Sequence, residues 1–203
     1  MPTVFSMPYW KKAATNINAT VFFRLLFILC FLISPAALGQ SPEIHFEDIK
    51  YKVHGSALSI DVQINYKLSP EIQDALDHGV PIEIDTRFRI TQKRHWIWDK
   101  VIATKRLEYR IDHRPLSGHY LISSLQTGEL YQFRDLNDGL QWMGKIENMD
   151  LLESKKLDAG HQYQLQIKSG LNVKSLPAPL RPLAYLSSAW RLNSDWVNKD
   201  IKL

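Results

Sequence analysis

The chain has 203 residues, a length suited to one domain, and its 45% apolar and 23% charged content is that of a globular protein rather than a disordered or multi-span one. Its formal charge of +4 is unevenly placed, because residues 1–39 hold Lys11, Lys12 and Arg24 and no acid. Residues 40–203 therefore carry 22 basic and 21 acidic side chains, a net of +1, which excludes the broadly basic surface expected of a nucleic-acid binder.

Lys11 and Lys12 precede an apolar run, Leu25 to Ile33 (LLFILCFLI), broken by Ser34 and Pro35. Ala37-Leu38-Gly39 then places small residues at the −3 and −1 positions before Gln40. This pattern predicts a secretory signal peptide over 1–39, cleaved after Gly39. The run would rise only about 13 Å as a helix, against a bilayer core of about 30 Å. The competing reading is an uncleaved anchor, with Arg24 snorkelling to the interface. Cys30 lies inside the apolar run, outside a lipobox, and no cysteine follows it. Cleavage thus leaves a domain, 40–203, without a disulfide, a thiol nucleophile or a thiolate metal site, held together by its apolar core.

The first elements of that domain form a hairpin. Ile44 to Val53 alternates with a phase slip between Phe46 and Ile49, which predicts a β-bulge. His54-Gly55-Ser56 turns the chain into a strand at Ala57–Leu68, where Leu58, Ile60, Val62, Ile64, Tyr66 and Leu68 recur at period two. Ser69-Pro70 opens a short helix, with Ile72, Ala75 and Leu76 on one face and Gly79 after its end. A strand follows, with Val80, Ile82, Ile84, Thr86, Phe88 and Ile90 inward and Glu83, Asp85, Arg87 and Arg89 outward. Asp99-Lys100 turns it back into Val101–Thr104, and Leu107–Ile111 and Tyr120–Ser123 make two further strands.

A short strand then holds Tyr131 and Phe133, and a second helix holds Leu136, Leu140 and Met143, ending at Gly144. A last strand carries Tyr163, Leu165 and Ile167. Beyond Leu176, Pro177, Pro179 and Pro182 exclude a long helix, while Trp190, Leu192 and Trp196 predict packing on the sheets. Hairpin-linked strands with two short helices at connections predict a mainly β fold, an antiparallel sandwich immunoglobulin-like in general architecture.

No chemical motif stands out. The seven histidines form no ligand set, although His113 and His119 flank one turn, and neither a nucleophile elbow nor a phosphate loop occurs. Glu83, Asp85, Arg87 and Arg89 read as exposed ion pairs on a wet strand face. No catalytic residue, cofactor or metal is expected. The segment Lys93-Arg94-His95-Trp96-Ile97-Trp98 interleaves cations with aromatics, as surfaces that stack on partners do. Trp96 and Trp98 keep the parity of Phe88 and Ile90, so a continuing strand would put both in or beside the core. The alternative is an exposed partner-binding rim of Arg94, His95, Trp96 and Trp98.

Three segments, Ala75 to Asp99 (ALDHGVPIEIDTRFRI with HWIWD), the strand pair around LEYRIDHRPLSGHYLI, and the tail LPAPLRPLAYLSSAWRLNSDW (Leu176 to Trp196), together resemble a proteobacterial family of exported proteins, domain of unknown function 4390. Ile97 departs from it where relatives often add a third aromatic. The resemblance implies an envelope protein of Gram-negative bacteria with no established activity. Its genes often lie beside those for a ribosomal RNA methyltransferase and a membrane sensor kinase, an associational clue. Two expectations follow. One is a non-enzymatic periplasmic protein-binding module, using edge strands or the Trp96/Trp98 rim against a membrane sensor kinase or other envelope protein. The other is a carrier holding a lipid or other small ligand between its sheets. Membrane contact of the protein itself is expected only if the leader stays uncleaved.

Overall fold

The structure is a computed structural model and describes residues 41–54, 57–94, 96, 98–152, 157 and 160–202. The leader and its cleavage site, His95, and the Gly55-Ser56 turn lie outside the described residues. β1 (Glu43–His54) and β2 (Ala57–Lys67) form the expected antiparallel hairpin. Its register shifts between Glu47 and Lys50, where Asp48 takes φ 49°, so the phase slip is a bulge. Helix α1 (Pro70–Asp77) starts where Ser69 Oγ accepts the Ile72 amide proton at 3.2 Å, and Ile72 and Leu76 face the core.

β3 (Ile82–Gln92) buries Ile82, Ile84, Thr86, Phe88 and Ile90 in the expected parity. β4 (Lys100–Arg114) is one strand where the sequence suggests two, because it pairs with β3 along most of its length. β5 (His119–Ser124) and β6 (Leu130–Phe133) complete a meander. Helix α2 (Leu136–Gly144), capped by Asp135, runs straight into β7 (Lys145–Leu152), which the sequence reading lacks. β8 (Tyr163–Leu171) pairs with β3, and a further unexpected strand, β9 (Val197–Ile201), pairs with β8. Between them the proline-rich tail makes short 3₁₀ turns and helix α3 (Arg181–Leu186). It does pack: Leu176, Trp190 and Leu192 are buried.

The strands form two antiparallel sheets, β1-β2-β7 and β6-β5-β4-β3-β8-β9. The order β1-β2-β7 opposite β9-β8-β3-β4-β5 follows the immunoglobulin variable-type sandwich, A-B-E opposite G-F-C-C′-C″, with the difference that β6, at the place of strand D in the chain, pairs with β5 in the larger sheet. One apolar cluster joins the two inward faces. Where antibody domains place a disulfide between strands B and F, hydroxyls tie the sheets together. Tyr66 on β2 hydrogen-bonds Thr86 on β3 at 3.2 Å and Ser169 on β8 at 3.1 Å, and Thr86 and Ser169 are 2.7 Å apart. Burial drives the Tyr66 phenol pKa up, so it stays neutral and available as a donor. Gly144 admits the turn from α2 into β7 by lying against the backbone carbonyl of Ile64, where a Cβ would collide. Among the described residues no helix is long and apolar enough to cross a membrane.

Candidate functional site

The alternation that would bury Trp96 and Trp98 ends with β3 at Gln92, and strand parity has no meaning beyond it. Both tryptophans lie in the β3–β4 connection and are 95% and 91% exposed. The core placement is thus corrected: both side chains stand in solvent. The base of this tip is anchored: the Lys93 amide donates to the Gln162 carbonyl at 2.8 Å, and the Arg94 amide to Asp99 Oδ1 at 3.3 Å. Lys93 Nζ also pairs with Asp200 at 3.1 Å. The bond from the Lys93 ammonium holds the Asp200 carboxyl below its usual pKa range, with a bond from the Gln164 amide assisting. Val101, half exposed, extends the apolar surface onto β4.

Trp142 and Trp190 serve packing. Trp190 is buried, and Trp142 on α2 lies against Tyr131, the rings tilted by 40° with centroids 4.0 Å apart, and packs near Tyr109 and Phe133. His113 faces Tyr120 across the β4–β5 pair, stacked at 4.6 Å, and not His119, which aligns with Arg114. No group of three or more histidine, cysteine or acidic side chains suited to a metal occurs among the described residues.

A second site lies on the outer face of β3, β4 and β8, which the sequence reads as plain ion pairs. Lys168, Arg87 and Arg106 are direct register partners across the three strands. Like charges set opposite one another destabilise a sheet, so such a row needs compensation. Asp85, its side chain only 10% exposed, supplies part of it. Its carboxylate accepts from Arg87 at 2.7 and 2.9 Å and from Arg106 at 2.6 and 2.9 Å. Burial works against ionisation of Asp85, but the bonds and charges of Arg106 and Arg87 together outweigh it and hold the carboxyl below the usual range. Arg106 also pairs with Glu108 at 2.9 Å.

Arg89 departs from the ion-pair reading, for its guanidinium lies over the Trp196 ring, 4.5 Å from the centroid. The tail segment carrying Trp196 closes against β8 because Gly170 has no side chain; a Cβ there would strike Asn193 Oδ1. Sheet face and tail together enclose a recess of about 540 Å³. The signal missed in the sequence was pairing register, since Arg106 and Lys168 are distant from Arg87 in the chain and adjacent only in the sheet.

Strand order and filled core define a small immunoglobulin-like β-sandwich that carries an exposed aromatic tip and a cationic recess on its outer face. The family model for the domain of unknown function DUF4390 matches residues 41–199, and the chain belongs to that family. No curated protein and no solved structure matches it.

Proposed function

We propose that this protein is an exported component of the cell envelope, a non-enzymatic module that binds another protein through the tip of the β3–β4 hairpin. The observation that carries the reading is the pair Trp96 and Trp98, almost wholly in solvent on an anchored loop. Folding gives large aromatics no reason to be there, whereas buried tryptophan is the commonest anchor of protein interfaces. The leader pattern at 1–39 supports export to the periplasm of a Gram-negative cell. The periplasmic part of a membrane sensor kinase is the first partner to test.

The carrier reading gains nothing from the interior. Phe88, Ile90, Ile111, Ile122, Leu165 and Ile167 have no surface accessible to water, so no ligand-sized cavity adjoins them. For the test, a photo-crosslinking amino acid replaces Trp96 in the full chain, expressed with its leader in the native host. The reading expects one discrete envelope protein to be trapped, and Trp98→Ala to reduce trapping at least about tenfold, the loss of about 1.4 kcal/mol that one interface tryptophan readily accounts for. Diffuse crosslinking, or trapping indifferent to Trp98→Ala in a protein of unchanged melting temperature, would sink it. Intact mass of the same protein reports whether the bond after Gly39 is cut.

A further inference from the structure

We propose that the recess on the outer face of β3, β4 and β8 is a binding site for a phosphate-bearing ligand, a phosphomonoester or pyrophosphate group. Its floor is the cationic row Lys168–Arg87–Arg106, its near wall is Arg89 on Trp196, and Lys174 stands at its end. These five cations face Asp85 in the lining and, beside it, Glu108 on Arg106 and Glu83 on Asn172, leaving a local excess of two charges. Residues 40–203 carry a net of only +1, so the excess is local to this face and not a general property of the surface.

Sequence chemistry gives no folding reason for this concentration. Three cations in one cross-strand row cost stability. Asp85 and Glu108 engage Arg87 and Arg106, while Arg89, Lys168 and Lys174 have no acidic partner among the described residues. An anion entering the recess would remove that repulsion. The geometry also selects its kind. Asp85 fixes the planes of Arg87 and Arg106, and Trp196 supports Arg89, so the guanidinium forks are ordered before a ligand arrives. Ordered forks suit oxyanions that accept paired hydrogen bonds, and an excess of two charges favours a multiply charged anion over a single carboxylate. A volume of about 540 Å³ admits a small molecule beside the phosphate, with Trp196 and Tyr185 available to a sugar or ring face.

Phosphate chemistry has two sources here, a soluble ester or a lipid headgroup, and the experiment separates them. The full chain, expressed with its leader and purified, is titrated with inorganic pyrophosphate at low salt by calorimetry. It is also sedimented with vesicles of phosphatidylglycerol, and with phosphatidylcholine as the uncharged control. Binding in either arm is expected, weakened at least tenfold in Arg89→Gln/Lys168→Gln and reduced by raised salt. Pyrophosphate binding assigns a soluble ligand, and sedimentation with phosphatidylglycerol alone assigns a headgroup. Both substitutions are on the solvent side of their strands, and Lys174→Gln, outside the sheet, gives a second variant whose fold is not at risk. No binding in either arm, or binding that survives Arg89→Gln/Lys168→Gln and Lys174→Gln unchanged, overturns the proposal.

Discussion

Replacing Asp85 by Asn keeps the shape of the side chain and removes the charge that two arginines share. The carboxylate accepts four bonds of 2.6–2.9 Å, two from each guanidinium. Fully shielded, a bond to a charged group contributes about 1.5–3 kcal/mol. Arg87 and Arg106 are 47% and 45% exposed, however, so each pair falls toward the surface range of about 0.2–1 kcal/mol. Between those limits, with the repulsion of the Lys168–Arg87–Arg106 row newly unopposed, Asp85→Asn is expected to cost about 2 kcal/mol at pH 7. In a domain of this size that lowers the melting temperature by about 4–8 °C.

The pH dependence is the sharper assay. The folded-state pKa of Asp85 is depressed, so its contribution is complete above the unfolded value, about 3.9, and is lost as pH falls through the lower folded value. Denaturant unfolding from pH 7 downward should show a constant gap between wild type and Asp85→Asn until that range, then convergence. Equal stability at pH 7, or a gap that persists after the carboxylate is protonated, refutes the account of Asp85 as the charge that holds the row.

Tyr66→Phe should cost about 1 kcal/mol by denaturant unfolding, because Thr86 and Ser169 still bond each other. Adding Ser169→Ala strips the Thr86 hydroxyl of both partners, and the double variant should lose at least about 0.5 kcal/mol more than the sum of the singles. Gly144→Ala should lower the melting temperature, for the clash with the Ile64 carbonyl costs about 1–3 kcal/mol and exceeds the gain in helix propensity of about 1 kcal/mol. A higher melting temperature would contradict that packing. Tyr120, partly buried and donating to Asp77 at 2.7 Å, has its pKa pushed up to about 12. Ultraviolet titration should therefore find the Tyr120 phenol, besides those of Tyr66, Tyr109 and Tyr131, ionising above the usual 10, and the Tyr120 contribution to stability should decline from about pH 10 as the unfolded phenol ionises first. Asp77→Asn should bring that phenol back toward the ordinary value.

What the sequence made legible was whatever repeats locally. Period-two runs located β2, β3 and β8, and the slip between Phe46 and Ile49 disclosed a bulge, since a pleated strand exposes any inserted residue as a phase error. β7 and β9 escaped because Glu147-Asn148 and Asn198-Lys199-Asp200 break the alternation; the pairing of those strands is decided by β2 and β8 instead. The same limit governs the sites. Trp96 and Trp98 were visible as residues, but their exposure depended on where β3 stops pairing. The cationic recess was invisible, because register across three strands brings Arg106 and Lys168 to Arg87, and Gly170 reveals its purpose only when Asn193 lies against it.

The two left-handed residues of the smaller sheet bear on how anything can dock. Asp48 interrupts β1 and Asn148 interrupts β7, one on each outer strand of β1-β2-β7, with the Asn148 amide turned to Asp61 on β2 at 2.7 Å. The larger sheet ends in β6 and β9, of four and five residues. Every border of both sheets is thus kinked or short, a poor template for adding a foreign strand and a safeguard against fibrillar self-association. Strand addition is thereby disfavoured, and recognition on this domain is expected to be written in side chains.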